Sequence, residues 1–158
     1  MRYTQSQIRE LLSISVDALR TWRTAIPALA AHKGHAPSFT PGDVVAMAIV
    51  AELVSDFGVR VGTVADRFDD LFRECRGRSW LSLETCVALI EADSIRLVDA
   101  ETSTRLSPNA STLCVPCGPI VSRLQSALTA TETELDQGYL QFPPTAIGSQ
   151  TERSRRQA

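Results

Sequence analysis

Apolar positions in the N-terminal part of the chain repeat at helical rather than strand spacing. Ile8, Leu11 and Leu12 fall at i, i+3 and i+4, and Val16, Leu19 and Trp22 follow at intervals of three. Each stretch therefore predicts a short helix with one apolar stripe. Thr4 with Gln7 three residues on makes a capping box, so the first helix starts at residue 5. Ser13-Ile14-Ser15 breaks the pattern, Ser15 is placed to cap the second helix, and Pro27 stops it. Two short helices joined by a tight turn result. From Ala28 to Ser38 the period lapses, and His32, Lys33, Gly34, His35 and Pro37 predict a loop or short hairpin.

Thr40-Pro41-Gly42-Asp43 announces a third helix, with a threonine cap, proline at N1 and an acid near the positive end of the dipole. Val44 to Phe57 is apolar on nearly every face, interrupted only by Glu52, Ser55 and Asp56. Such a helix is buried on more than one side, within the chain or against a partner, and Gly58 closes it. Val64, Phe68, Leu71 and Phe72 predict a further helix across Val61 to Cys75.

After Arg76-Gly77-Arg78-Ser79, which reads as a boundary, the pattern changes. Cys86 to Ile90 and Ile95 to Val98 are short β-prone runs around the turn-like Glu91-Ala92-Asp93-Ser94, and they predict a hairpin. Ser107-Pro108-Asn109 is a further turn, and Leu113 to Val115 adds a third strand. Pro119 opens a last helix in which Val121, Leu124, Leu128, Thr131 and Leu135 form a short heptad-like seam suited to self-association. Phe142-Pro143-Pro144 and the Ser/Gln/Arg-rich end predict a disordered tail. The expected fold is α+β in two units: residues 1–76 a helix-turn-helix module with a wing-like loop, and residues 80–138 a smaller β-hairpin and helix module for dimerisation or sensing. Residues 139–158 are the tail.

Composition narrows the function. With 44% hydrophobic and 22% charged residues among 158, the chain belongs with folded proteins. The longest apolar run, Val44 to Ala51, is far short of the roughly 20 residues that span a bilayer. The polar start lacks a signal-peptide pattern, so no membrane partner, a cytoplasmic location and reduced cysteines are expected. The net charge of −2 taken alone argues against a nucleic-acid binder. Its distribution argues the other way: residues 1–36 hold five basic against two acidic side chains, and residues 80–140 hold three against eight. No catalytic constellation emerges. The two histidines, His32 and His35, both lie in the wing-like loop, and no phosphate-cradling glycine loop or paired-acid motif is present. Neither an enzyme nor a cofactor is expected.

The stretch "YTQSQIRELLSISVDALRTWR" resembles the opening of the MerR family, in which Tyr-Thr leads into helix one and Ser-x-x-x-Leu-Arg-x-Trp/Tyr marks the recognition helix. Ser15, Leu19, Arg20 and Trp22 match that pattern. "SFTPGDVVAMAIVAELVSDFGVRVGTV" is similar to the family's aromatic-Thr-x-x-Asp support helix and the Gly-containing turn after it, through Phe39, Thr40, Asp43, Leu53 and Gly58. The likeness covers residues 3–64. It implies a winged helix-turn-helix that binds double-stranded DNA as a two-fold homodimer, with Arg20 and its neighbours in the major groove. The candidate DNA-contacting residues are then Gln5, Ser15, Asp17, Ala18, Arg20, Thr21, Arg23, Lys33 and His35, with Trp22 in the core.

Two departures stand out. The family's wing carries Gly-Tyr-Arg before the aromatic-Thr pair, where this chain has His35-Ala36-Pro37-Ser38, so Lys33, His32 or His35 must substitute for the arginine. The family's long dimerisation helix directly after the DNA module is replaced by the β-prone 80–117 stretch. Two other readings compete with DNA regulation. In one, the helix-turn-helix serves protein contact as an adaptor or anti-regulator, and Arg20 and Arg23 merely pair with Asp17 and Glu10. In the other, Cys114 and Cys117 gate the DNA affinity as a redox or metal sensor. Thiols at a helix N-terminus feel its positive end, which lowers thiolate pKa. A tetrahedral zinc would further require Cys75, Cys86 or a histidine. Small buried thiols that only pack are the alternative, and no metal is expected.

Overall fold

The computed structural model describes residues 1–32, 36–105 and 111–136. The chain is α+β, with eight α-helices and a three-stranded antiparallel sheet among the described residues. Helix α1 (Gln5–Leu12) and helix α2 (Val16–Ala25) form where the periodicity places them. The Thr4 hydroxyl accepts from the Gln7 N–H at 3.2 Å while the Gln7 side chain accepts from the Thr4 N–H at 2.9 Å. Ser13 turns the chain between the helices in the left-handed region, φ 53°, and the Ile14 N–H closes onto the Arg9 carbonyl at 3.1 Å. The Ser15 hydroxyl accepts from the Ala18 N–H at 3.0 Å and starts α2. Ile8, Leu19 and Trp22 are buried between the two helices and the rest of the core.

Pro27 ends α2 and also opens a one-turn helix α3 (Pro27–Ala30), where the sequence predicts loop from Ala28 onward. Proline at N1 has no N–H to lose, the next amide, of Ala28, donates to Asp69 Oδ1 at 2.6 Å, and Leu29 is fully buried. Burial of one leucine and one long-range acceptor thus override the local loop signal. The wing-like residues Lys33, Gly34 and His35, the Ser107-Pro108-Asn109 turn and the 139–158 tail lie outside the described residues.

Helix α4 (Pro41–Phe57) carries a second capping box, Thr40 with Asp43, and ends on left-handed Gly58 at φ 65°. Its residues from Gly42 to Val50 are all buried. The cover comes from within the chain: α4 packs against α1, α5 (Ala65–Arg76), α6 (Trp80–Glu84) and α8 (Cys117–Asp136). The helix expected over Val61 to Cys75 starts later than its apolar period suggests. Val61 is buried through a separate 3-10 turn, Val61–Thr63, and Val64 at φ −126°, ψ 18° separates that turn from α5.

Strands β1 (Cys86–Ile90) and β2 (Ile95–Asp99) make the expected hairpin, and β3 (Leu113–Pro116) adds to the other edge of β1, giving the order β2-β1-β3. Ala88 pairs with Leu97 on one side and Val115 on the other. Glu91 N–H to Ser94 O, 2.9 Å, closes the turn. The short helices α6, capped by the Ser79 hydroxyl, and α7 (Ala100–Ser103) are too brief to leave a periodic signal. Helix α5 packs on β2 and α8 on β1. Helix α8 begins at Cys117, ahead of Pro119, and its predicted seam is corrected: Val121 and Leu124 are fully buried in this chain's own core, with Leu128 packed against it. The side chains of Thr131 and Leu135 lie outside the described ones. The expected boundary at Arg76 to Ser79 coincides with the step from α5 to α6, and one cluster of buried residues, from Tyr3 to Leu124, runs across it.

The start of α4 and the end of α5 meet at backbone distance. A Cβ on Gly42 would sit 2.1 Å from the Cys75 carbonyl oxygen, whereas one on Gly62 would meet nothing within 4 Å. Gly42→Ala is therefore expected to destabilise the fold by at least the 1–3 kcal/mol typical of overpacking. Gly62→Ala should be neutral or slightly stabilising through reduced unfolded-state entropy. Urea midpoints of the two variants check this, and equal midpoints would rule out the close approach of α4 and α5.

Candidate nucleic-acid interface

Helix α2 divides cleanly by face. Leu19 and Trp22 are buried, while Val16, Asp17, Arg20, Thr21 and Thr24 are exposed. At 100° per residue the exposed positions span a stripe of roughly 140°, opposite the buried ones. Ser15 is exposed at the head of that stripe, with its oxygen engaged by the Ala18 amide. Ala18 itself is half-buried, so among the expected contact residues it supplies a capping amide more than a side chain. Gln5 is half-buried in the first turn of α1.

The arginines do not pair with the acids nearest in sequence. Among the described residues, neither Arg20 nor Arg23 makes an ion pair with Asp17 or Glu10. Arg20 is exposed, and Arg23 is half-buried with its Nε enclosed and without a hydrogen-bond partner. A guanidinium without a carboxylate is a cation available to a phosphate or a guanine edge.

Lys33 and His35 cannot be placed, yet the structure fixes what flanks them. Tyr3 and Phe39 form an isolated antiparallel bridge, with Tyr3 N–H to Phe39 O at 2.9 Å and Ser38 N–H to Tyr3 O at 3.0 Å. Arg2 Nη1 donates to the Ser38 carbonyl at 2.9 Å. On the other flank the His32 ring stacks on Phe39, with ring centres 4.2 Å apart. Below it lies the fully buried Asp43 carboxylate, which accepts from Thr40 N–H and Oγ1, both at 2.8 Å, and from Arg76 Nε at 3.0 Å. Arg76 Nη2 also reaches the Ala28 carbonyl at 3.3 Å.

Burial holds His32 below the usual imidazole range. Asp43 pulls it upward, and the positive charges of Arg76, Arg2 and Arg23 push it down again. Three arginines thus act against Asp43 at the His32 ring. Arg2 and Arg76 are absent from the sequence-derived set because only the Tyr3–Phe39 pairing and the α4–α5 contact bring them there. No local signal marks them.

The two thiols of Cys114-Val115-Pro116-Cys117 differ in exposure. Strand alternation in β3 leaves Cys114 exposed, while Cys117 is fully buried. Although Cys117 stands at the start of α8, burial pushes its thiol up to about 11, with the nearby Cys86 adding to the rise. This corrects the lowered pKa expected from the helix dipole, because desolvation of the thiolate outweighs it. Cys75 is likewise buried and raised. Among the described residues no group of three or more His, Cys, Asp or Glu is arranged to hold a metal ion.

Two measurements follow. Under native conditions at neutral pH, iodoacetamide should label Cys114 well ahead of Cys75, Cys86 and Cys117, which become reactive on unfolding. Mass spectrometry showing Cys117 labelled as fast as Cys114 would contradict its burial. Protonating His32 costs more in the folded chain than in the unfolded one. Its contribution to stability is therefore complete above about pH 6.5 and is lost as pH falls from there toward the lowered folded-state value. His32→Gln should flatten that part of the curve of melting temperature against pH. Parallel curves for parent and variant would remove His32 from the account.

No protein-family model, curated protein sequence or solved structure significantly matches this chain.

Proposed function

We propose that the chain is a sequence-specific DNA-binding transcriptional regulator, with α1 and α2 as its helix-turn-helix and α2 as the element that enters the major groove. The observation that supports this reading is the outward stripe of α2, capped by Ser15 and bearing Arg20, which makes no ion pair among the described residues. Each side chain on the stripe has a chemistry suited to a base edge. Arg20 fits the paired acceptors of guanine, Asp17 the amino group of cytosine, and Val16 and Thr21 the thymine methyl. Arg2 and Arg23, with Lys33 and His35 from the wing-like loop, take the phosphates on either side. This assignment follows the MerR resemblance for α2 and departs from it at the wing, where Arg2 supplies an arginine that the loop lacks.

Two copies on a palindromic site is the arrangement the resemblance implies. The first half of the α8 seam is engaged inside the protein, so a dimer contact must come from other surface. No helix among the described residues is long and apolar enough to cross a membrane. A cytoplasmic regulator without catalytic activity is the reading that suits these features.

Selection of genomic fragments by the purified protein, followed by anisotropy on the enriched site, tests the proposal. Arg20→Ala should weaken specific binding by about 1–3 kcal/mol and relax preference at one base position. Arg2→Ala and Arg23→Ala should weaken binding on all sequences alike and reduce the salt slope by about one each. Retention of no fragment at low salt, or unchanged binding in all three variants, would favour a protein-contact role instead.

A further inference from the structure

On the side of the molecule where the N-terminal residues, α6 and α8 meet lies an open apolar groove of about 380 Å³. Half-buried Trp80 lines it, its ring stacked on that of buried Tyr3 with 6° between their planes and centres 6.2 Å apart; Met1, Pro41 and Leu128 add apolar lining and Ser79, Gln125 and Thr129 polar lining. The indole N–H of Trp80 donates inward to the Pro41 carbonyl at 2.8 Å, so the polar edge of the ring is satisfied within the protein. Met1 is 82% exposed at the rim. Leu128 also borders a second, smaller depression shared with Gln7, Glu10 and Leu11, so the apolar strip continues between α1 and α8. Neither the DNA-facing stripe of α2 nor the Asp43 network uses this surface.

We propose that the groove is the docking site of this chain's own C-terminal segment Tyr139–Pro144, with Phe142-Pro143-Pro144 seated between Trp80 and Leu128. Chain length makes the return short. Leu128 lines the groove and α8 runs on to Asp136, about 12 Å further at 1.5 Å per residue. Gly138 follows Asp136 by two residues in the sequence, and glycine readily takes the left-handed conformation with which a chain reverses after a helix. From Gly138 to Phe142 an extended chain covers about 13 Å at roughly 3.3 Å per residue, which brings the two prolines back to the groove.

The chemistry matches. Consecutive prolines hold a polyproline conformation that loses little entropy on docking, and an aromatic face such as the accessible part of Trp80 is a surface such segments pack against. Tyr139, Leu140 and Phe142 add apolar side chains to this part of the sequence. Because the segment is tethered, its effective concentration is in the millimolar range, so a weak intrinsic contact suffices for occupancy.

The test uses the full chain labelled with 5-fluorotryptophan, which gives one fluorine resonance for the buried Trp22 and one for Trp80, assigned with Trp80→Phe. Joint replacement Phe142→Ser, Pro143→Ser and Pro144→Ser lies outside the described core. It should move the Trp80 resonance, leave Trp22 in place and raise acrylamide quenching of Trp80 several-fold. A synthetic peptide of residues 138–147 should restore the Trp80 signal in the triple variant and bind the parent at least tenfold more weakly. An unchanged Trp80 signal in the triple variant overturns the proposal. A parent signal that reverts to that of the variant on dilution also overturns it and makes the tail of a second copy the occupant. Equal peptide binding to parent and variant overturns it in favour of a groove open to a separate proline-rich partner.

Discussion

A fully buried carboxylate sets the geometry on which the rest of the structure depends. Asp43 lies in the first turn of α4, where a carboxylate is favoured by the helix dipole, but it also accepts from Thr40 and from Arg76 at the end of α5. An ionised group in the interior is tolerated only when its lone pairs are matched, and removing one partner of such a set typically costs about 3–5 kcal/mol. The same guanidinium reaches the α3 carbonyl of Ala28, and the His32 ring lies over the site. One carboxylate therefore ties together the support helix, the end of α5, the α3 turn and the root of the wing-like loop. The glycine beside it lets the two helix ends approach closely enough for the pairing to form.

That arrangement keeps one acid of the N-terminal half out of the surface charge balance. Asp43 is matched internally by Arg76 and Thr40. Arg2 and Arg20 are exposed and make no ion pair among the described residues, while Arg23 is half-buried. Elsewhere, acids pair on the surface with arginines that have no part in the interface, as in Glu91 with Arg96 and Glu52 with Arg123. Such exposed pairs contribute little to stability.

Much of the fold was legible in the residues because the signals were local and redundant. Thr4 with Gln7, Ser15, and Thr40 with Asp43 each mark a helix start that the structure keeps, and the hairpin follows from two β-prone runs around a four-residue turn. What was missed is what distant contacts decide. Helix α3 exists because Leu29 is buried and Asp69 meets the Ala28 amide, and α6 because Ser79 caps a single turn beneath α8. The α8 seam was read correctly as apolar and wrongly as free, since periodicity reports that a face is covered but not by what. For the candidate site, the outward residues of α2 could be named from the sequence. Arg2 and Arg76 could not, because pairing across more than 30 residues brings them to it.

The cover on α4 has a consequence for how the protein can be taken apart. A helix enclosed by α1, α5, α6 and α8 draws part of its shielding from residues beyond position 76. Excising the first 76 residues would expose the flank that α6 and α8 protect, and would do so along a run of valine, alanine and isoleucine. The first 76 residues are thus not a portable cassette: grafted onto another protein, they would need a substitute for α6 and α8 before they could hold their shape.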